Sequence, residues 1–271
     1  MRDILSKLII KNEPVLSALR KIPGFRWCAK RMQKRLMPNG YRLWFQVQDG
    51  VGKGIWLKLD PKTGGQYFRG QVERCLQKIL QDNLRPGMVF YDIGSNSGFF
   101  SLVAARIVGP TGRVVAFEAE PRLGTIALGN IDRNGGHNVR LVQAAVWSHS
   151  GFVDFHPADT GISPDLGLGK VVPYCDGQTF GVSAIALDDF VQTDRPPNLI
   201  KCDVEGAEVE VFRGATKLLS EYRPSIECEI HSKENGILLC AMFEDMSYDV
   251  KWISTTHFFA APKDLSRMTT E

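Results

Sequence analysis

The sequence predicts an α/β fold with a mainly parallel sheet, and three observations carry that expectation. Apolar runs and helix-periodic stretches alternate from residue 88 to 146. The same alternation returns from 199 to 230 after an interruption. With 271 residues, 44% hydrophobic and 23% charged, the chain can also bury a full core. Strands that alternate with helices need crossover connections, so neighbouring strands run parallel beneath helical layers.

In order, the first 40 residues hold two candidate helices. Ile4, Leu5, Leu8 and Ile9 recur at helical spacing in one, and Trp27, Cys28, Met32 and Leu36 line the other, with Pro23-Gly24 between them. Residues 41–60 alternate apolar and polar around a glycine-rich turn, the pattern of a β-hairpin. Residues 71–84 form a helix that stops before Arg85-Pro86-Gly87. Strands follow at 88–92, 113–118 and 139–146, with helices at 97–108 and 121–134. Residues 151–190 supply short β-like pieces and a loop rich in Gly, Pro and Asp. A strand at 199–204, a helix at about 207–220, a strand at 224–230 and a further helix come next, and 248–262 closes the chain as a hairpin.

The net charge of +3 conceals an asymmetry. Residues 1–40 carry ten Lys/Arg against Asp3 and Glu13, so the remainder is acidic. A helical cap is the simpler reading of that basic extension, and peripheral membrane contact through residues 1–40 is the second. The acidic remainder disfavours nucleic acid as a partner. Six cysteines lie far apart, without C-x-x-C spacing, and read as reduced thiols. No stretch approaches the length of a membrane span and no signal-peptide pattern is present, which places the chain in the cytoplasm.

The most informative stretch is VFYDIGSNSGFF at 89–100. In an open parallel sheet, ligands bind beyond the carboxyl ends of the strands, where Asp92 to Gly98 fall. Gly94 allows a tight turn and close backbone approach, and Gly98 lets the next helix start against the sheet. The spacing G-x-x-x-G after an acidic residue is not the dinucleotide fingerprint G-x-G-x-x-G. A carboxylate at Asp92 suits a cationic ligand such as S-adenosylmethionine. Glu118 ends the next strand, where a carboxylate can accept both hydrogen bonds of a ribose diol. Asn96 and Ala145 complete the candidate donor residues.

The segments VFYDIGSNSGFFSL, VVAFEAEP, LDDFV, LIKCDVEGAEVEVFRGA and RPSIECEIH, in this order, resemble the FkbM family of S-adenosylmethionine-dependent methyltransferases. The resemblance spans about 70–262. It implies a Rossmann-like class I methyltransferase fold with a seven-stranded, mainly parallel sheet, and places residues 1–60 outside as an N-terminal helical and β-hairpin extension to a domain at 61–271. It also implies O-methylation of a hydroxyl on a sugar, glycan, glycolipid or secondary metabolite. Carboxylate methyl esterification and a non-catalytic donor-binding protein are the alternatives.

Asp203 and Glu205 lie two apart, so an extended segment would point both to one side. Asp203, Glu205 and His231 are the candidate bases, with Glu229 placed to orient His231. The resemblance supports these positions without assigning roles. Hard oxygen ligands from Asp203, Glu205 and Glu229 would suit Mg²⁺, although their spacing is not a metal motif. His137, His149, His156 and His257 read as ordinary surface or pocket residues. The loop at 156–181 is expected to cover the substrate.

Overall fold

The computed structural model describes residues 42–156, 170–171 and 179–263. The expected helices of 1–40 and most of the loop at 156–181 lie outside them.

The seven-stranded sheet has the spatial order β12-β13-β11-β10-β3-β4-β5. Its strands are β3 (Val89–Ile93), β4 (Arg113–Phe117), β5 (Val139–Val142), β10 (Leu199–Cys202), β11 (Ser225–Glu229), β12 (Tyr248–Trp252) and β13 (His257–Pro262). The four pairings from β11 through β10, β3 and β4 to β5 are parallel, while β13 runs antiparallel to both β11 and β12. The fold thus has the mainly parallel sheet that the alternation predicts and the Rossmann-like form that the resemblance implies. Chain order reverses between β3 and β10, and the crevice at their carboxyl ends is where Gly94 and Asp203 emerge.

Strand alternation divides the core in two. Tyr91 and Ile93 of β3 join Phe117, Ile200, Phe212 and Phe243 on one face, packed by α6 (Glu208–Arg213), α7 (Thr216–Glu221) and α8 (Lys233–Asp245). Phe90 faces the other way, toward α2 (Arg74–Asn83) and α3 (Phe99–Val108), and so does Asp92 by the same period of two. Lys201 is the register partner of both Asp92 and Glu227, which lines up three charged side chains across neighbouring strands.

The hairpin β1 (Leu43–Gln46) and β2 (Trp56–Leu59) belongs to this second core. Leu43, Phe45, Leu57 and Leu59 are buried together with Phe90, Phe99 and Leu102. Asn130 and Asn134, one turn apart on α4 (Pro121–Arg133) and its cap, accept hydrogen bonds from the Lys58 and Trp56 amides. The free edge of β2 is thereby satisfied. The expected boundary at residue 60 therefore does not separate two cores, and a short helix, α1 (Gly65–Phe68), continues directly from the hairpin toward α2.

Two expected elements divide. The strand expected at 139–146 is β5 plus β6 (Ala145–Val146), and β6 joins a separate four-stranded sheet with β7 (Gly151–His156), β8 (Lys170–Val171) and β9 (Phe180–Ile185). The helix expected at 207–220 breaks between α6 and α7 at Gly214, which lies against the Trp147 carbonyl so closely that a Cβ there would be 2.1 Å from it. A short α5 (Leu187–Phe190) precedes β10. No helix among the described residues is long and apolar enough to cross a membrane.

Candidate active site

Three backbone devices shape the crevice. Gly94 has φ 74°, and a Cβ there would lie 1.8 Å from the carbonyl oxygen of Asp203, so only glycine allows β3 and β10 to close together at this point. Asn96 and Gly98 also take positive φ, which turns the loop tightly into α3. Glu205 has φ 47° and Gly206 φ 97°, so the acidic segment turns sharply instead of running extended as the two-residue spacing suggests. Asp203 and Glu205 still face the same ring, His231.

His231 is the centre of the cluster. Its Nδ1 lies 2.6 Å from Glu208 Oε1. Its Nε2 lies 3.4 Å from Glu205 and 3.8 Å from Asp203. Glu208 is fully buried and accepts three hydrogen bonds, since the Gly206 amide also donates to Oε1 and the Asn235 side chain to Oε2. Burial alone would raise the Glu208 pKa, but those hydrogen bonds, led by the one from His231, outweigh it and hold Glu208 below its ordinary value. An ionised carboxylate only accepts, so Nδ1–H donates. For His231, burial favours the neutral ring. The Glu208 hydrogen bond and the charges of Glu205, Glu208 and Asp203 prevail, and the pKa is pushed up to about 9.

The carboxylate that orients His231 is therefore Glu208 and not Glu229. Glu229 instead lies 3.6 Å from Nε2 of His257, whose Nδ1–H donates to Glu227 at 2.8 Å. Glu208 sits in the first turn of α6, and only its burial distinguishes it from the neighbouring Glu210. Sequence spacing offered no signal of that burial.

Asp92 also differs from expectation. It is fully buried, accepts a hydrogen bond from Ser101 and lies 3.4 Å from Lys201 Nζ, so its charge is directed beneath the turn and not into the open crevice. Lys201 donates to the Gly94 carbonyl at 2.8 Å and sits 3.4 Å from Asp203, linking the glycine turn to the acidic segment. Burial alone would depress the lysine, yet Asp203, Asp92, Glu73 and Glu227 hold its pKa well above the ordinary value. A lysine inside an apolar strand such as LIKCDV gives no sign in the sequence of the carboxylates it meets.

A cavity of about 340 Å³ opens at this end of the sheet. Asn96, Asp203, Glu205, Glu229 and His231 line it, joined by Tyr67 of α1 and by Glu73 and Arg42 from the approach to the sheet. Glu73 has φ 39°, and its Oε2 is buried without a hydrogen-bond partner. Burial pushes its pKa up to about 7, against the lowering pull of Lys201. The Ser95 hydroxyl in the turn is likewise buried and unpartnered. A non-glycine residue in a left-handed conformation, with an unpartnered carboxylate oxygen in a cavity, leaves that oxygen available to a ligand.

Of the other candidate donor residues, Glu118 lies just beyond β4 and accepts hydrogen bonds from the Asn96 and Glu120 amides at 2.7 and 2.9 Å. Burial raises its pKa to about 7 despite them. Its carboxylate thus holds the turn, with unused lone pairs remaining on both oxygens. Gly98 lies at the start of α3, close against Ala127. Ala145 packs in β6 within the small cluster that includes Ala119, the residue after Glu118, and does not reach the cavity.

These features fit a cationic methyl donor. Asp203, Glu205 and Glu229 line the cavity with carboxylates, and Glu73 and Ser95 present polar atoms still needing partners. A metal fits less directly. Asp203, Glu205 and His231 could offer ligand atoms within 4.8 Å of one another, in place of the expected set with Glu229. The imidazole must first lose the proton that its three carboxylate neighbours stabilise.

Residues 92–250 match the family model described as Methyltransferase FkbM domain. The chain is 30% identical over 196 residues to the hexuronic acid methyltransferase AglP of Haloferax volcanii, covering 72% of each protein. It is 36% identical over 100 residues to a protein-L-isoaspartate O-methyltransferase of Triticum aestivum, covering 37% of this chain and only 38% of that relative. Among solved structures, the methyltransferase FkbM from Methylobacillus flagellatus superposes with a TM-score of 0.49 at 14% identity, over 74% of this chain and 55% of that one.

Proposed function

The chain belongs to the FkbM family and is an S-adenosylmethionine-dependent methyltransferase, and from that premise we propose that it methylates a hydroxyl group of a sugar-containing acceptor, with His231 as the base. The observation that carries the choice of hydroxyl is the His231–Glu208 pair facing a cavity rich in carboxylates.

The bound donor supplies an electrophilic methyl group. A hydroxyl is a poor nucleophile until it begins to lose its proton, so a positioned base contributes to rate. Nδ1–H of His231 is tied to Glu208, which leaves Nε2 as the nitrogen directed at Asp203 and Glu205 in the crevice. In its neutral form Nε2 accepts the hydroxyl proton, and Glu208 stabilises the imidazolium that results. Asp203 and Glu205 add to that stabilisation through their charges. Lys201 fixes the Gly94 carbonyl and Asp203 relative to each other, so donor turn and base cluster keep one geometry.

A carboxylate acceptor would need no base, being ionised at neutral pH, and would meet the carboxylates of Asp203, Glu205 and Glu229 in the cavity. The relative AglP is named for a hexuronic acid, which supports a sugar acceptor and keeps methyl esterification as the second reading, because such a sugar carries both groups. Alkaline treatment of the labelled product separates the two, since an ester is cleaved and an ether persists.

A further inference from the structure

A second concavity meets the first at His231. It measures about 700 Å³ and lies between α8 and the β12–β13 hairpin. Ile230 and His231 form its inner end, and Gly236, Ile237, Cys240 and Trp252 form its walls. Its chemistry is opposite to that of the carboxylate cavity. Ile237 is 71% exposed and Trp252 49% exposed, and both line this one groove, so their apolar surface is grouped and not scattered, as it is where a surface binds something. Gly236 makes room for the tryptophan: a Cβ there would come within 3.3 Å of the Trp252 ring.

His231 lines both spaces. The carboxylate cavity of about 340 Å³ is the size of one small-molecule site, and the donor must share it with the reacting hydroxyl. The remainder of the acceptor then has to leave past His231, and the groove is the adjoining space. Resting on the methyltransferase reading above, we propose that this groove binds a hydrocarbon chain of the acceptor. The substrate class is then an amphiphile, with a hydroxyl-bearing polar head at His231 and an apolar tail along Ile237 and Trp252. Free sugars lack the part that the groove recognises.

The test uses the full chain with alkyl maltosides below their micelle concentrations as probes. Binding of maltose and of octyl, decyl and dodecyl maltoside is measured by calorimetry, alongside S-adenosylmethionine on the same samples. Affinity should rise about fourfold for each methylene that becomes buried, with maltose alone not binding. Ile237→Gln and Ala241→Arg alter exposed helix positions on the groove wall and should weaken dodecyl maltoside at least about tenfold while leaving donor affinity unchanged. Chain-length-independent binding, or variants that bind as tightly as wild type, would overturn the proposal. So would a dimer that Ile237→Gln dissociates and dodecyl maltoside does not, because the groove would then be covered by a second copy. Failure of S-adenosylmethionine to bind counts against the methyltransferase reading and leaves the groove result to stand by itself.

Discussion

His231 and Glu208 meet at 2.6 Å, joining the end of β11 to the first turn of α6. The contact couples the protonation of a cavity-facing imidazole to a carboxylate that has no exposure to solvent. Because Nδ1 is tied to a buried helical carboxylate, the ring presents its other nitrogen, Nε2, to the crevice.

Replacing His231 with alanine should lower turnover by roughly 10² to 10⁴ while leaving donor affinity within about twofold of wild type. Calorimetry with S-adenosylmethionine and single-turnover methyl transfer measure the two quantities separately. Glu205→Gln and Asp203→Asn should have smaller effects on turnover, since their part is to stabilise charge on the ring.

The pH profile tests the positioning role of Glu208. The base form of His231 is neutral, so kcat/KM should rise with pH and level off above about 9. Glu208→Gln removes the strongest force holding the proton, and the rising limb should move to lower pH even as the maximum rate falls. A purely structural role would lower the rate at every pH without moving the limb.

The same shift affects stability, with a definite sign. The folded-state pKa of His231 lies above its unfolded value, so the pair stabilises the fold fully below about 6.5 and loses that contribution as pH rises through about 9. Thermal melts across this window should show wild type losing stability relative to His231→Asn. Equal slopes for the two proteins would contradict the pKa direction.

Much of this arrangement was legible in the sequence. The period-two and helical patterns predict the parallel sheet, and the glycines at 94 and 98 after an apolar run predict the tight turn at the carboxyl end of β3. Pairings across distant strands were less visible. Glu208 and Lys201 became prominent only when β10, β11 and α6 were brought together: Lys201 by its register with Asp92 and Glu227, and Glu208 by burial that its acidic neighbours do not share. Assigning Glu229 to His231 failed for a related reason. Residues two apart on a strand share a face, yet His231 lies beyond the last residue of β11, where the chain no longer follows strand geometry.

Donor binding should depend on the turn and on Glu73. Gly94→Ala places a methyl group into the Asp203 carbonyl and should abolish S-adenosylmethionine binding and lower thermal stability. Glu73→Gln should weaken the donor about tenfold without destabilising the fold, since the orphaned oxygen has no protein partner to lose. Lys201→Met leaves Asp92 and Asp203 without their shared cation and should cost about 3–5 kcal/mol of stability by chemical denaturation.

The central claim is methyl transfer to a hydroxyl through His231, and label transfer tests it most directly. Wild type and His231→Ala are incubated with methyl-deuterated S-adenosylmethionine and fractionated extracts of the source organism, and mass spectrometry follows the label before and after alkaline treatment. Wild type should form one deuterated methyl group per acceptor, in an ether that survives alkali, and the variant at least about 10²-fold less. A label released by alkali as an ester, or one transferred equally well by His231→Ala, would contradict the claim.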